Sequence, residues 1–171
     1  MTLAPMLLLA TSLVAQSAST DLKPFDSAEG KFSATLPGKP VVSSQDIPTP
    51  IGKIAMRTYM IETGKNATAV LYCDYPESIA KADPNKVLDG ARNGAITSIK
   101  GKLVEGKSVK MGEIPGRAFE YEMRRNGVSM VGRCRLYLDK SRLYQVMVIG
   151  TPDFARSETS TKVLDSFKIT K

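Results

Sequence analysis

The chain has 171 residues, 42% of them hydrophobic, with no histidine, no tryptophan and a formal net charge of +7. That length supports one globular domain with a core of ordinary extent, in no need of a metal or disulfide staple. Without imidazole, Ser/His/Asp and Cys/His catalysis, histidine zinc sites and imidazole proton shuttles are all excluded.

Residues 1–17 read as a signal peptide. The apolar run from Leu3 to Ala15 is too short to span a bilayer, and the small residues Ala15, Ser17, Ala18 and Ser19 offer cleavage after Ala15 or Ser17. The segment before the run has no Lys or Arg, which departs from the usual pattern. No cysteine follows it, so a lipid anchor is not expected. Residues 1 to 20 carry no charged side chain, so the basicity belongs to the mature protein, expected to be secreted or periplasmic.

Residues 18–30 read as a polar linker with Phe25 as an anchor, and residues 31–171 as the domain. Phe32, Ala34 and Leu36 alternate with polar neighbours, which predicts a strand stopped by Pro37, Gly38 and Pro40. Val41 to Asp46 continues as a short strand that Pro48 and Pro50 should break, since proline cannot donate to a ladder. Ile51–Glu62 and Ala67–Tyr75 form a hairpin turning at Gly64, Lys65 and Asn66. The sequon at Asn66 is read as chance.

A helix is predicted next, with Asp83 as N-cap, Pro84 at its first position, an apolar face of Leu88, Ala91, Ala95 and Ile99, and Gly101 as its end. Gly90 and Gly94 interrupt it, which suggests close packing on a sheet. Leu103 to Met111 reads as a strand, and Glu113 to Gly116 as a turn.

The clearest stretch is Gly116 to Gly150. Two alternating runs flank Asn126 and Gly127, residues that accept the positive φ of a two-residue type I′ turn. The turn fixes the register: Arg125 faces Val128, Met123 faces Met130, Tyr121 faces Gly132, Phe119 faces Cys134, and Glu120 faces Arg133 as a candidate ion pair. One face then holds Phe119, Tyr121, Met123, Met130, Cys134, Leu136 and Leu138, joined by Leu143, Met147 and Ile149 of a third strand. The other face holds Glu120, Glu122, Arg124, Arg133, Arg135 and Tyr137 beside Tyr144, Val146 and Val148, so an element should cover part of it as well. Thr151 and Pro152 begin a loop, Ser157 caps a short helix that docks Val163, Leu164 and Phe167, and Lys168 to Lys171 form a tail.

This order predicts an α+β domain: an antiparallel sheet of about seven strands with helices packed on it. FSATLPGKP from Phe32 to Pro40, Pro115–Gly116 before a strand, RLYQVMVIG from Arg142 to Gly150 and KVLDSFKI near the C-terminus resemble the PsbP-like fold family. That family includes an extrinsic photosystem protein, a nuclear transport factor and bacterial exported proteins of unknown role. The resemblance spans about residues 25 to 170. It implies an α/β/α sandwich of the bacterial exported branch that binds other proteins rather than catalysing, and it carries over no functional residue.

No nucleophile with a base, metal cluster or cofactor motif stands in the sequence, so neither enzyme activity nor a cofactor is expected. The expected function is protein binding in the cell envelope or outside the cell, by a monomer. The alternative is an anionic polymer or membrane surface met by an arginine-rich sheet face, with Arg124, Arg125, Arg133, Arg135 and Tyr137 as candidate contacts. The interleaved glutamates weaken that alternative, and scattered basic residues also serve solubility alone. Nucleic acid is not expected, for no reading helix or aromatic motif accompanies the charge. Cys73 and Cys134, both at apolar-phase strand positions, are a candidate disulfide or two buried thiols. Asp74 and Glu77, flanking Pro76, are candidate cation contacts.

Overall fold

The computed structural model describes residues 21–49 and 52–171. The predicted signal peptide and the predicted strand start at Ile51 lie outside the described residues. Ten strands and three α-helices follow in the order β1 (Lys23–Ser27), β2 (Phe32–Leu36), β3 (Val41–Thr49), β4 (Gly52–Thr63), β5 (Asn66–Asp74), α1 (Pro84–Ser98), β6 (Lys102–Met111), β7 (Ile114–Arg125), β8 (Val128–Asp139), β9 (Arg142–Gly150), α2 (Pro152–Ala155), α3 (Glu158–Ser166) and β10 (Lys168–Ile169). The large sheet is antiparallel with order β3-β4-β5-β9-β8-β7-β6, and a small sheet has order β1-β2-β10.

The hairpin register read from Asn126–Gly127 is the observed one, from Arg125 opposite Val128 to Gly116 opposite Tyr137. Both turn residues have positive φ, 51° and 78°, as a type I′ turn requires. Likewise Thr63 pairs with Asn66 across Gly64–Lys65.

Each sheet face is buried by a different layer. On one, Phe119, Tyr121, Cys134, Leu136, Leu138 and Leu143 pack with Leu88 and Ile96 of α1. On the other, Tyr59, Val70, Tyr72, Tyr137, Tyr144, Val146 and Val148 meet Phe32, Ala34 and Leu36 of the small sheet and Val163, Leu164 and Phe167 around α3. Mixed composition on this second face is thus explained by a second layer.

Four expectations are corrected. Residues 23–27 of the expected linker form β1, because Phe25 packs on Phe32 and Tyr59 while the backbone pairs with β2. The expected C-terminal tail contributes β10, paired to the other side of β2. Thr151–Pro152 open the short helix α2 rather than a loop: the Thr151 hydroxyl accepts from the Phe154 amide. Finally, β3 runs through Pro48, which an edge strand tolerates because one row of its amides has no ladder partner to lose.

Asp83 caps α1 as predicted, accepting from the Asn85 amide at 2.9 Å. Gly90 and Gly94 do not serve close packing, since a Cβ at either would meet nothing within 4 Å. Gly90→Ala and Gly94→Ala should each stabilise by about 0.5–1 kcal/mol by restricting the unfolded chain. Thermal unfolding of the double variant should show a midpoint raised by several degrees.

Among the described residues, one charged side chain is buried between α1 and the sheet. Arg117, 8% exposed, donates to Asp89 at 2.8 and 3.3 Å, to Asn85 Oδ1 at 3.0 Å and to the Gly116 carbonyl at 3.1 Å. The Arg117 hydrogen bond holds the Asp89 carboxyl below its usual range. A depressed folded value means that this stabilisation is complete above the unfolded carboxylate value of about 3.9 and is lost as pH falls through the folded value. Asp89→Asn should therefore cost about 2 kcal/mol at pH 7, carried by the stranded guanidinium rather than by the half-exposed carboxylate. Urea titrations should show that difference shrinking below pH 4.

Candidate functional site

Helix α3 and the short helix α2 decide what the arginine-rich face can do. Arg133 donates to the Ala155 carbonyl at 3.2 Å and to Thr161 Oγ1 at 2.9 Å, tying β8 to both helices. Arg135 donates to the Leu164 carbonyl near the α3 C-terminus and pairs with Asp165, a favourable place for a cation. Tyr137 is 5% exposed and stacks on Phe167. Glu120 lies opposite Arg133 as read, but its carboxylate accepts from Arg156 of the α2–α3 connection, at 2.5 and 3.1 Å. The expected Glu120–Arg133 ion pair is thereby corrected: docking the helices gives each partner a different mate.

The same holds at the opposite end of the meander. Arg142 grips Asp74 through two hydrogen bonds of 2.5 and 2.7 Å and lies 4.6 Å over the Tyr72 ring. This occupies Asp74, so its candidate role as a cation contact falls. Among the described residues no group of three or more Cys, Asp and Glu side chains is placed to hold a metal ion. Arg57 pairs with Glu29 at 2.5 Å, and its proximity lowers the Glu29 carboxyl value.

Cations without an acid partner are spread over the surface, and some of them meet at one end of the large sheet. Among the described residues, no acid lies within ion-pair distance of Lys65, Lys100, Lys102, Lys107, Lys110, Arg124 or Arg125. Several of these residues surround the Asn126–Gly127 end of the sheet. There a cleft of about 610 Å³ is lined by Lys100, Lys102, Arg124 and Arg156, with Glu122 as its acid and Met123, Met130, Val131 and Pro152 as apolar surface. Arg124 is oriented by donating to the Gly127 carbonyl at 3.1 Å. Arg125 lines a neighbouring cleft of about 380 Å³ with Glu62, Lys65 and Asn66. A smaller cleft of about 170 Å³, bordered by Glu105, Lys107, Glu120, Arg133 and Arg135, runs beside α3. The Arg156–Glu120 ion pair joins it to the largest one.

The candidate contacts therefore divide. Arg124 and Arg125 stand at the cationic end, Arg133 and Arg135 have structural partners and only border the small cleft, and Tyr137 is core. Lys100, Lys102 and Arg156 went unread in the sequence. They sit after a helix C-terminus, on an edge strand and after a four-residue helix, and no tight turn there reveals what lies opposite.

Cys73 and Cys134 are both free and buried, which corrects the candidate disulfide. Strand β9 lies between theirs, and Cys73 faces Leu143 while Cys134 faces Met147. Two strand spacings and four residues of rise separate them by about 16 Å, beyond the reach of a disulfide. Burial raises both thiols, Cys73 to about 11 with the neighbouring Asp74 adding to it, so neither is a ready nucleophile. Asn66 uses its side-chain carbonyl to accept from the Thr151 amide at 3.2 Å.

No protein-family model matches the chain, and no curated protein matches it. Among solved structures, the cyanobacterial PsbP of Synechocystis sp. PCC 6803 (CyanoP) superposes with a TM-score of 0.59 at 11% identity, covering 93% of this chain and 98% of that one. A Pseudomonas aeruginosa protein of unknown function, described as a putative regulator, gives a TM-score of 0.39 at 10% identity over 78% of this chain and 85% of its own. What the first likeness establishes is architecture: this chain has a PsbP-like α+β fold.

Proposed function

We propose that this is an exported, non-catalytic protein-binding domain that engages an acidic partner through the cationic end of its large sheet. The observation that carries the reading is the division of charge: the meander's interior arginines are tied to α2, α3 or an acid, while Lys100, Lys102, Arg124 and Arg125 have no acid within ion-pair distance among the described residues. Unpaired cations around an apolar-floored cleft suit a surface offering both carboxylates and apolar side chains. Export is supported by the apolar run at residues 3–15 followed by small residues. A non-catalytic role is supported by the lack of histidine and by cysteines held far from their thiolate form.

The test is site-specific photo-crosslinking in the native host, with the crosslinker at Arg124 and, as control, at exposed Lys39. One saturable, acidic protein captured from Arg124 alone is the expected result. Equal capture from both positions overturns the reading. Binding instead to phosphatidylglycerol vesicles, with affinity falling linearly in log salt and without a protein partner, would replace it by the anionic-surface alternative.

A further inference from the structure

The two edges of the large sheet differ in a way that points to a second property of this surface. Edge β3 carries exposed Val41 and Val42 but no lysine, and it contains Pro48. Edge β6 runs ten residues without proline, and its side chains are exposed from Lys102 through Ser108. It pairs with β7 on one side only, so alternate N–H and C=O groups along its outer side point to solvent. A bulge between Leu103 and Glu105 leaves Val104 outside the paired register. Leu103 and Val104 are 39% and 48% exposed, two of the four large apolar side chains with that much exposure among the described residues.

Charge selects what such an edge accepts. Lys102, Lys107 and Lys110 lie along β6 against one acid, Glu105, and none of the three lysines has an ion-pair partner among the described residues. An antiparallel second copy would bring lysines toward lysines, which is unfavourable. An extended segment with acids at alternate positions would meet Lys102 and Lys107, which share one face of the sheet, with opposite charge. The clefts lie on the flank of this strand: Lys102 lines the one of about 610 Å³, and Glu105 and Lys107 line the one of about 170 Å³. Side chains on one face of an added strand would therefore pass over these clefts, since every second residue of a strand points the same way.

We infer that the outer edge of β6 is a strand-addition site for an extended, alternately acidic and apolar segment of the partner protein. Main-chain hydrogen bonds to β6 would supply the docking, Leu103 and Val104 its apolar anchor, and the lysines its selectivity. This inference rests on the protein-binding reading but makes a separate claim about the mode of contact.

The experiment uses the full chain without its first 17 residues, the form expected after export, and an end-blocked decapeptide of alternating Glu and Val. Two further peptides are N-methylated on alternate amides, one along each backbone edge. Addition of the plain peptide should slow exchange of outward β6 amides at least tenfold. Methylation along one edge should abolish that protection, and methylation along the other should spare it. Lys107→Glu should weaken the acidic peptide tenfold or more and improve a Lys–Val peptide, a reversal that simple misfolding cannot produce. Equal binding of both methylated peptides without protection of Lys102–Met111 would overturn strand addition while leaving the Arg124 crosslinking result intact. Absence of binding by the plain peptide at millimolar concentration would overturn it as well.

Discussion

Phe32→Ala is expected to destabilise the whole protein by about 4 kcal/mol, near the middle of the range for a fully buried phenylalanine. Phe32 is 0% exposed and sits where the small sheet, the large sheet and the end of α3 converge. Its ring lies 6.0 Å from Phe25 of β1, 5.1 Å and nearly perpendicular to Tyr59 of the large sheet, and 5.8 Å from Phe167 after α3. Edge-to-face contacts of this kind add to the apolar area removed from water. None of the neighbours can fill the void readily. Tyr59 is held by the Ser27 hydroxyl, which donates to it at 2.9 Å, and Phe167 is already committed to stacking on Tyr137. Urea unfolding followed by far-ultraviolet circular dichroism should keep one transition, moved to lower denaturant with an unchanged slope. Were the small sheet an independent flap, the variant would instead show a separate early transition and an unmoved main one. Phe25→Ala, at a half-buried position, should cost clearly less.

Gly132→Ala is the second large effect, expected to cost about 3 kcal/mol, the upper end of ordinary overpacking. Tyr121 lies directly across from Gly132 in the hairpin, with its ring laid over the glycine. A Cβ at 132 would fall 2.6 Å from Tyr121 Cε1 and closer still to Cζ and the hydroxyl. The ring cannot swing aside cheaply, because it is 4% exposed and packed 6.2 Å from Phe119 beneath α1. Either Tyr121 leaves its rotamer or β8 shifts against β7. A double-mutant cycle separates these: if the clash is with the ring alone, Gly132→Ala should cost less than 1 kcal/mol in a Tyr121→Ala background. An unchanged cost there would trace the effect to the backbone instead.

Gly132 also marks the boundary between what the chain states locally and what it leaves to packing. Asn126–Gly127 set the register of β7 and β8 because only a tight turn with two positive φ values joins those strands, and register then follows residue by residue. Asp83–Pro84 and Ser157 announced two helix starts for the same reason, each satisfying an end amide with its own side chain. Alternation told apart the two faces of the meander, and the apolar valines on its second face required a covering layer. Such signals act over a few residues, so sequence alone determined the α+β class, most elements and the absence of imidazole chemistry.

Tertiary structure decided which polar groups meet. Glu120 faces Arg133 in the ladder yet pairs with Arg156, 36 residues on, because α2 and α3 settle over that face and Arg133 is drawn to Ala155 and Thr161. Cys73 and Cys134 share the apolar phase but stand on strands that β9 separates, a fact of sheet order that no local pattern encodes. Strands β1 and β10 form only because β2 lies between them, although their sequences are short and polar. The cationic clefts likewise come from elements distant in sequence, so the charge of the meander was legible but its freedom was not. Ion pairing depends on distances across the fold, and those are fixed by packing that buries apolar area without regard to the charges it carries along.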